Sequence, residues 1–177
     1  MTIGKSFIIS LMTFIGLNVA FFILYYLLNG TLVDRFSQIT SNPYIIFELV
    51  GWAMFKAISL TLGPSSPFLS IVALSFSPIS NLITFFLNLL YLLGLIIPPL
   101  IASIVAGVLV FDRKEGAISW FLTSIIMAFI AFFGLLLSSS FTIEYLILLL
   151  IVTTVIGLMF TIFYGFFTLI TRKAFPY

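Results

Sequence analysis

Four long apolar runs separate the few charged residues of this chain, and they limit its fold more than any other feature. The runs cover residues 7–28, 82–111, 117–137 and 145–170. The shortest would reach about 32 Å as a helix, enough to cross a hydrocarbon core of about 30 Å. Only 7% of the 177 residues are charged, against about 25% in a soluble domain. The sequence therefore predicts an all-α integral membrane protein, a single membrane domain (residues 1–177) built as a bundle of four transmembrane helices.

Two of the runs carry further signals. Residues 7–28 are predicted to be a retained helix rather than a cleaved signal peptide. The run is longer than the usual apolar region of about 7–15 residues, and it ends in bulky residues rather than a cleavage site. Residues 82–111 contain Pro98 and Pro99. Proline lacks the backbone N–H that a helix uses, so a kink or break is predicted there.

Residues 30–80 do not resemble a simple span. Glu48, Trp52 and Lys56 recur at four-residue spacing within 44–62, which predicts an amphipathic helix with one polar face. Such a helix suits the extracytoplasmic membrane interface. A charge near the bilayer centre would cost about 2.5–3.5 kcal/mol, although packing against a partner helix would reduce that cost.

The segment 63–80 is rich in proline and serine, and its apolar core, 68–76, is too short to span as a helix. Its backbone amides would lack partners in lipid. We expect it to lie among the headgroups, to re-enter the membrane against protein, or to cover a partner.

The basic residues predict the orientation. With four spans and the N-terminus inside, five of the seven fall on the cytoplasmic side: Lys5, Arg113, Lys114, Arg172 and Lys173. The outer side then holds only Arg35 and Lys56. This excess is the positive-inside pattern, so both termini are predicted in the cytoplasm and the protein in the cell membrane. A fifth span at 44–62 would break the pattern, and six spans would need a polar turn that the sequence lacks.

Histidine and cysteine are both absent. The chain therefore has no imidazole or thiolate ligands for zinc, copper, iron–sulfur clusters or histidine-ligated haem. A histidine general base is excluded as well. We predict no catalytic residue, no cofactor and no metal site. The net charge of +2 is too small to indicate nucleic acid.

Six residues are candidates for contact with a partner or for a solute path: Glu48, Trp52, Lys56, Asn81, Asn88 and Tyr91. The last three lie along one side of the second span. Amides and a phenol in that position could line a solute path, but ordinary hydrogen bonds between helices explain them more simply.

Small residues four apart predict close helix packing. The pairs are Ala102/Ala106 and Ser103/Gly107 after the two prolines, and Gly16/Ala20 in the first run. Small side chains at this spacing let two helix backbones approach each other in a membrane.

These features favour a non-catalytic subunit of a larger membrane complex, which contributes helix packing and an extracytoplasmic interfacial clamp. The expected partners are lipid, other membrane subunits or a second copy. The alternative is a component of a transporter or channel for a neutral or weakly charged solute, because the four spans lack the charged residues that ion coupling commonly requires. An enzyme is disfavoured, because a serine without an activating base is a poor nucleophile.

Overall fold

The structure, a computed structural model, describes residues 2–62, 82–110, 112–138 and 142–174. Within these residues the chain forms helices joined by short turns, and no strand occurs. Four of the described helices are long and apolar enough to cross a membrane. The predicted all-α fold with four potential spans is therefore confirmed.

The described helices follow one another in this order: α1 (Ile3–Leu28), α2 (Leu32–Ser37), α3 (Tyr44–Val50), α4 (Trp52–Leu62), α5 (Leu82–Val108), α6 (Arg113–Ser138) and α7 (Ile143–Ala174). The long helices α1, α5, α6 and α7 correspond to the four predicted spans. The short helix α2 lies between the first span and the predicted helix over 44–62. The predicted helix over 44–62 is divided at Gly51, and α5 continues through Pro98 and Pro99 without a break.

The long helices alternate in direction. Near the start of α1, the Ser6 hydroxyl donates to the carbonyl oxygen of Ala106, near the end of α5, over 3.1 Å. The Ser119 hydroxyl, near the start of α6, donates to the carbonyl oxygen of Ile3 over 3.2 Å. The starts of α1 and α6 therefore share one end of the bundle with the end of α5.

The same end carries Lys5, Arg113 and Lys114, all three exposed. We call it the basic end. The end of α7 also lies there, since Thr168 of α7 contacts Gly116 of α6. Both ends of the described chain are thus at the basic end, as an even number of crossings requires.

Close helix contact at the small residues of α5 is confirmed. A Cβ added to Gly107 would overlap the carbonyl oxygen of Thr168 in α7. The Thr168 hydroxyl donates to the carbonyl oxygen of Ser103 over 3.1 Å. On α1, a Cβ added to Gly16 would meet nothing within 4 Å. The prediction of helix contact at Gly16/Ala20 is therefore wrong for the described part of the chain.

The short helices α3 and α4 lie among the long ones, in the half of the bundle away from the basic end. Gly134, near the end of α6, accommodates Phe47 of α3 and Phe55 of α4. Trp52 and Ala53 are fully buried, as are Met54 and Ile58. The first turn of α4 therefore belongs to the protein core, whereas Thr61 near its end is exposed. Packing against helices of the same chain therefore accounts for the apolar side of this segment.

Candidate functional site

Glu48 is the centre of a buried polar cluster between α1, α3 and α4. Its side chain is 2% exposed. One carboxylate oxygen accepts a hydrogen bond from the Tyr26 hydroxyl of α1 over 2.8 Å. The same oxygen lies 2.5 Å from the Lys56 ammonium nitrogen of α4, whose side chain is 18% exposed. Two opposite charges and a phenol therefore satisfy one another inside the protein, which is the condition for burying a carboxylate.

Aromatic rings enclose this cluster. The Lys56 ammonium lies 4.7 Å from the centre of the Trp52 ring, within the range of a cation–π contact. Four other rings lie within 6 Å of Trp52, centre to centre: Phe22, Tyr25, Tyr26 and Tyr91. The enclosure excludes water, which strengthens the attraction between Glu48 and Lys56.

Arg35 of α2 closes the cluster on the side away from the basic end. Its guanidinium carbon lies 4.9 Å from the centre of the Tyr26 ring, and a guanidinium nitrogen donates to the Tyr44 hydroxyl over 3.4 Å. Burial lowers the pKa of Arg35, but Tyr26, Glu48 and Tyr44 raise it by more, so the net shift is upward. Through its contacts with Tyr26 and Tyr44, Arg35 holds α2 against α1 and the start of α3.

A second polar contact links α1 to α4. The Asn18 side-chain oxygen accepts a hydrogen bond from the backbone N–H of Ala53 over 2.9 Å. Ala53 is in the first turn of α4, where a backbone N–H has no acceptor within its own helix. Asn18 supplies that acceptor from the neighbouring helix.

Two buried donors beside this contact have no hydrogen-bond partner within the described part of the chain. They are the Asn18 amide nitrogen and the Trp52 indole nitrogen. The indole lies against Gly94 of α5, where a Cβ would be 2.7 Å from its nitrogen. Pro98 has no N–H, so the Gly94 carbonyl of α5 cannot accept the usual helical hydrogen bond from the residue four positions later.

The structure brings four of the six candidate residues together: Glu48, Trp52, Lys56 and Tyr91. Glu48 and Trp52 are enclosed by the chain itself, which leaves only Lys56 and Tyr91 partly accessible. Asn88 is half-buried on α5, and no described contact joins it to the cluster. Asn81 lies outside the described residues.

Sequence reasoning missed Asn18 and Tyr26. Both belong to a stripe on α1 that repeats every four residues and is buried throughout: Ser6, Ser10, Phe14, Asn18, Phe22 and Tyr26. Polar residues in register with large aromatic ones on an otherwise apolar helix indicate a protein-facing side. That spacing could have identified both residues.

The polar contacts of this cluster join α1, α3 and α4 to one another. The Glu48 carboxylate is already bonded to a phenol and an ammonium, so it is not placed as a base toward an open site. Within the described residues, no group of three His, Cys, Asp or Glu side chains could hold a metal ion. The fold is that of an all-helical chain compatible with a multi-pass membrane protein, and a buried ion pair joins its helices α3 and α4.

The chain matches no family model, no curated protein and no solved structure.

Proposed function

We propose that this chain is a non-catalytic subunit of a larger membrane protein complex. The observation that carries the proposal is the pairing of Glu48 with Lys56 and Tyr26 inside the chain. A charge in a membrane domain commonly marks an ion or proton path, but this carboxylate is used to join α1, α3 and α4. The described exterior of the long helices is largely apolar, as contact with lipid or with other membrane helices requires.

The proposal puts both termini in the cytoplasm of a cell whose plasma membrane holds the complex. Lys5, Arg113 and Lys114 share the basic end, and this clustering supports a cytoplasmic location for it. The helices α2, α3 and α4 then lie at the extracytoplasmic interface, where the protein encloses Glu48 and most of Lys56 and leaves Asp34 exposed. The interfacial or re-entrant segment predicted at 63–80 lies outside the described part of the chain.

The partner-contact surface in this proposal is α2. None of its residues is buried, and Val33 and Phe36 are 79% and 41% exposed. Arg35 anchors the helix through Tyr26 and Tyr44. An anchored helix with exposed apolar side chains, outside the spans, is suited to lie across another subunit.

Native mass spectrometry after gentle extraction from the source membrane, without overexpression, tests the proposal. We expect discrete additional subunits in fixed ratio to this chain. Val33→Asp should reduce their retention, because it places a charge in the apolar contact. Ser41→Asp, which adds the same charge at an exposed polar position nearby, is the matched control. Recovery of the chain alone, or only with copies of itself, would contradict the subunit proposal.

One observation favours a second candidate, a component of a path for a neutral solute. Asn18 and Trp52 each have a buried donor without a partner within the described residues, and a polar solute could accept hydrogen bonds from both. Under this alternative, Asn18→Leu lowers solute flux into liposomes by more than it lowers the amount of folded protein. Unchanged flux would exclude a path through this site.

A further inference from the structure

An apolar groove opens between α6 and α7 on the outside of the bundle, in the half next to the basic end. Its volume is about 470 Å³. Two small residues, Ala117 and Gly165, line it together with exposed large ones: Ile118, Phe121, Ile162, Phe166 and Leu169. On α7 it extends from Thr161 to Leu169, about 12 Å along the axis, which is close to half of a hydrocarbon core of about 30 Å. We call it the leaflet groove.

Lys114, in the first turn of α6, is in line with this groove. It precedes Ile118 and Phe121 by four and seven positions, so the three residues share one face of α6. Lys114 is exposed, and it forms no ion pair among the described residues. Glu115 lies about 100° further around the helix. Asp112 caps the helix start, where its carboxylate accepts a hydrogen bond from the backbone N–H of Lys114 over 3.3 Å. The Lys114 ammonium is therefore available at the end of the groove.

A second apolar hollow, between α1 and α5, differs in this respect. It lies in the half of the bundle away from the basic end and is lined by residues that include Leu28 and Leu93. The basic residues described at that end, Arg35 and Lys56, are held in the polar cluster around Glu48. An available ammonium group in line with an apolar groove thus sets the leaflet groove apart from this hollow.

We propose that the leaflet groove binds an anionic phospholipid, with an acyl chain between α6 and α7 and the negative headgroup at Lys114. The ammonium group and the apolar groove, which is about one leaflet deep, match the two parts of such a lipid. A second copy of this chain, inserted in the same direction, would instead bring its own basic end to the level of Lys114, where like charges repel. The charge at the end of the groove therefore favours a lipid over a helix of the same chain.

Native mass spectrometry of the purified chain in mild detergent tests the headgroup contact. The probes are phosphatidylglycerol and phosphatidylcholine with identical acyl chains, titrated separately. We expect phosphatidylglycerol to bind about fivefold more tightly, the contribution of one basic residue near an anionic lipid surface. Lys114→Gln should remove this preference. Lys5→Gln removes the same charge at the basic end but on α1, outside the groove, and should change the preference by less than about twofold, since distant exposed charges are screened. Equal affinities of the unchanged protein for the two lipids, or equal losses from the two variants, would overturn the proposal.

The position of the acyl chain is tested by filling the groove. A Cβ added to Gly165 would meet Trp120 at 3.6 Å, an ordinary contact, so Gly165→Leu places its side chain in the groove without a backbone overlap. We expect both lipids to bind at least about fivefold more weakly, because the loss of two buried methylene groups has at least that effect. Gly16→Leu makes the same change on α1, where a Cβ meets nothing within 4 Å, and is the matched control. Unchanged lipid binding by Gly165→Leu, or an equal loss from Gly16→Leu, would overturn the assignment of the groove.

This lipid site requires a membrane protein but not the proposed subunit role, and the two can be tested apart. Preferential binding of phosphatidylglycerol by a chain that co-purifies with no other subunit would contradict the proposed function and leave the lipid site standing. Co-purification with other subunits in fixed ratio, together with equal affinities of the isolated chain for the two lipids, would overturn the lipid site and leave the proposed function standing.

Discussion

Asn18, in the middle of α1, accepts a hydrogen bond from the backbone N–H of Ala53, and 2.9 Å separates the two atoms. The Asn18 side chain thus caps the first turn of α4, 35 positions later in the sequence. The contact exists because Gly51 interrupts the helical run between α3 and α4, which exposes the N–H groups of a new helix start inside the bundle. Such a donor needs an acceptor from elsewhere in the chain, since lipid provides none.

Asn18→Leu should therefore destabilise the fold. The change leaves the Ala53 N–H without an acceptor, a loss of about 1–3 kcal/mol. We expect the lower end, because leucine also removes the unpaired Asn18 amide nitrogen. The measurement is the free energy of unfolding of the purified protein in detergent. Asn88→Leu is the matched control: Asn88 is half-buried on α5 without a described hydrogen bond. Equal losses from both changes would show that the Ala53 contact contributes nothing specific.

Replacing only Glu48 or only Lys56 should lower the free energy of unfolding by more than expected from the double replacement, because each single change leaves one buried charge unpaired. Glu48→Leu leaves the Lys56 ammonium without its counter-charge, and Lys56→Met leaves a buried carboxylate. Each change is expected to cost about 3–5 kcal/mol, the loss typical of half-broken buried pairs. The double variant should cost clearly less than the sum, because both desolvated charges are gone. Additive losses in a double-mutant cycle of unfolding free energies would contradict the pairing.

Much of the bundle could be predicted because its signals are local. The apolar runs and the charges that end them define the long helices, and Ala102, Ala106 and Gly107 predict where α5 approaches its neighbours. Those signals depend only on length, hydropathy and side-chain size. The Gly16/Ala20 pair shows their limit, because the same spacing on α1 faces outward.

The site could be predicted only in part, because its contacts join distant positions. The four-residue spacing of Glu48, Trp52 and Lys56 predicted one shared face, and these residues do lie together. The spacing could not show which residues these helices would bond with, because Tyr26 and Asn18 belong to α1. Much of the surface of α3 and α4 therefore packs against the chain's own helices. The four-residue spacing of polar and aromatic residues along the buried stripe of α1 contained that information.

The close contact between α5 and α7 predicts that the effect of a Gly→Ala change on stability depends strongly on which glycine is replaced. Gly107→Ala should destabilise the protein by about 1–3 kcal/mol, the usual cost of overpacking, because its Cβ would overlap the backbone carbonyl of Thr168. Gly16→Ala makes the same change in open space and should stabilise α1 by up to about 1 kcal/mol, since alanine favours helix. Thermal unfolding midpoints of both variants in detergent check the prediction. A midpoint for Gly107→Ala at or above that of the unchanged protein would contradict the close contact.

The orientation of the basic end can be measured with single cysteines, since the chain supplies no background thiol. Gln38 follows α2 at the end away from the basic one, and Asp112 lies at the basic end between α5 and α6; both are exposed. We expect a membrane-impermeant maleimide to label Gln38→Cys in intact cells, and to label Asp112→Cys only after permeabilisation. Replacing an acidic residue at Asp112 leaves the orientation signal intact, because Lys and Arg set it and acidic residues contribute little. The reverse pattern would put the basic end outside. Labelling of both variants in intact cells would mean an even number of crossings between residues 38 and 112, which contradicts the four-span arrangement.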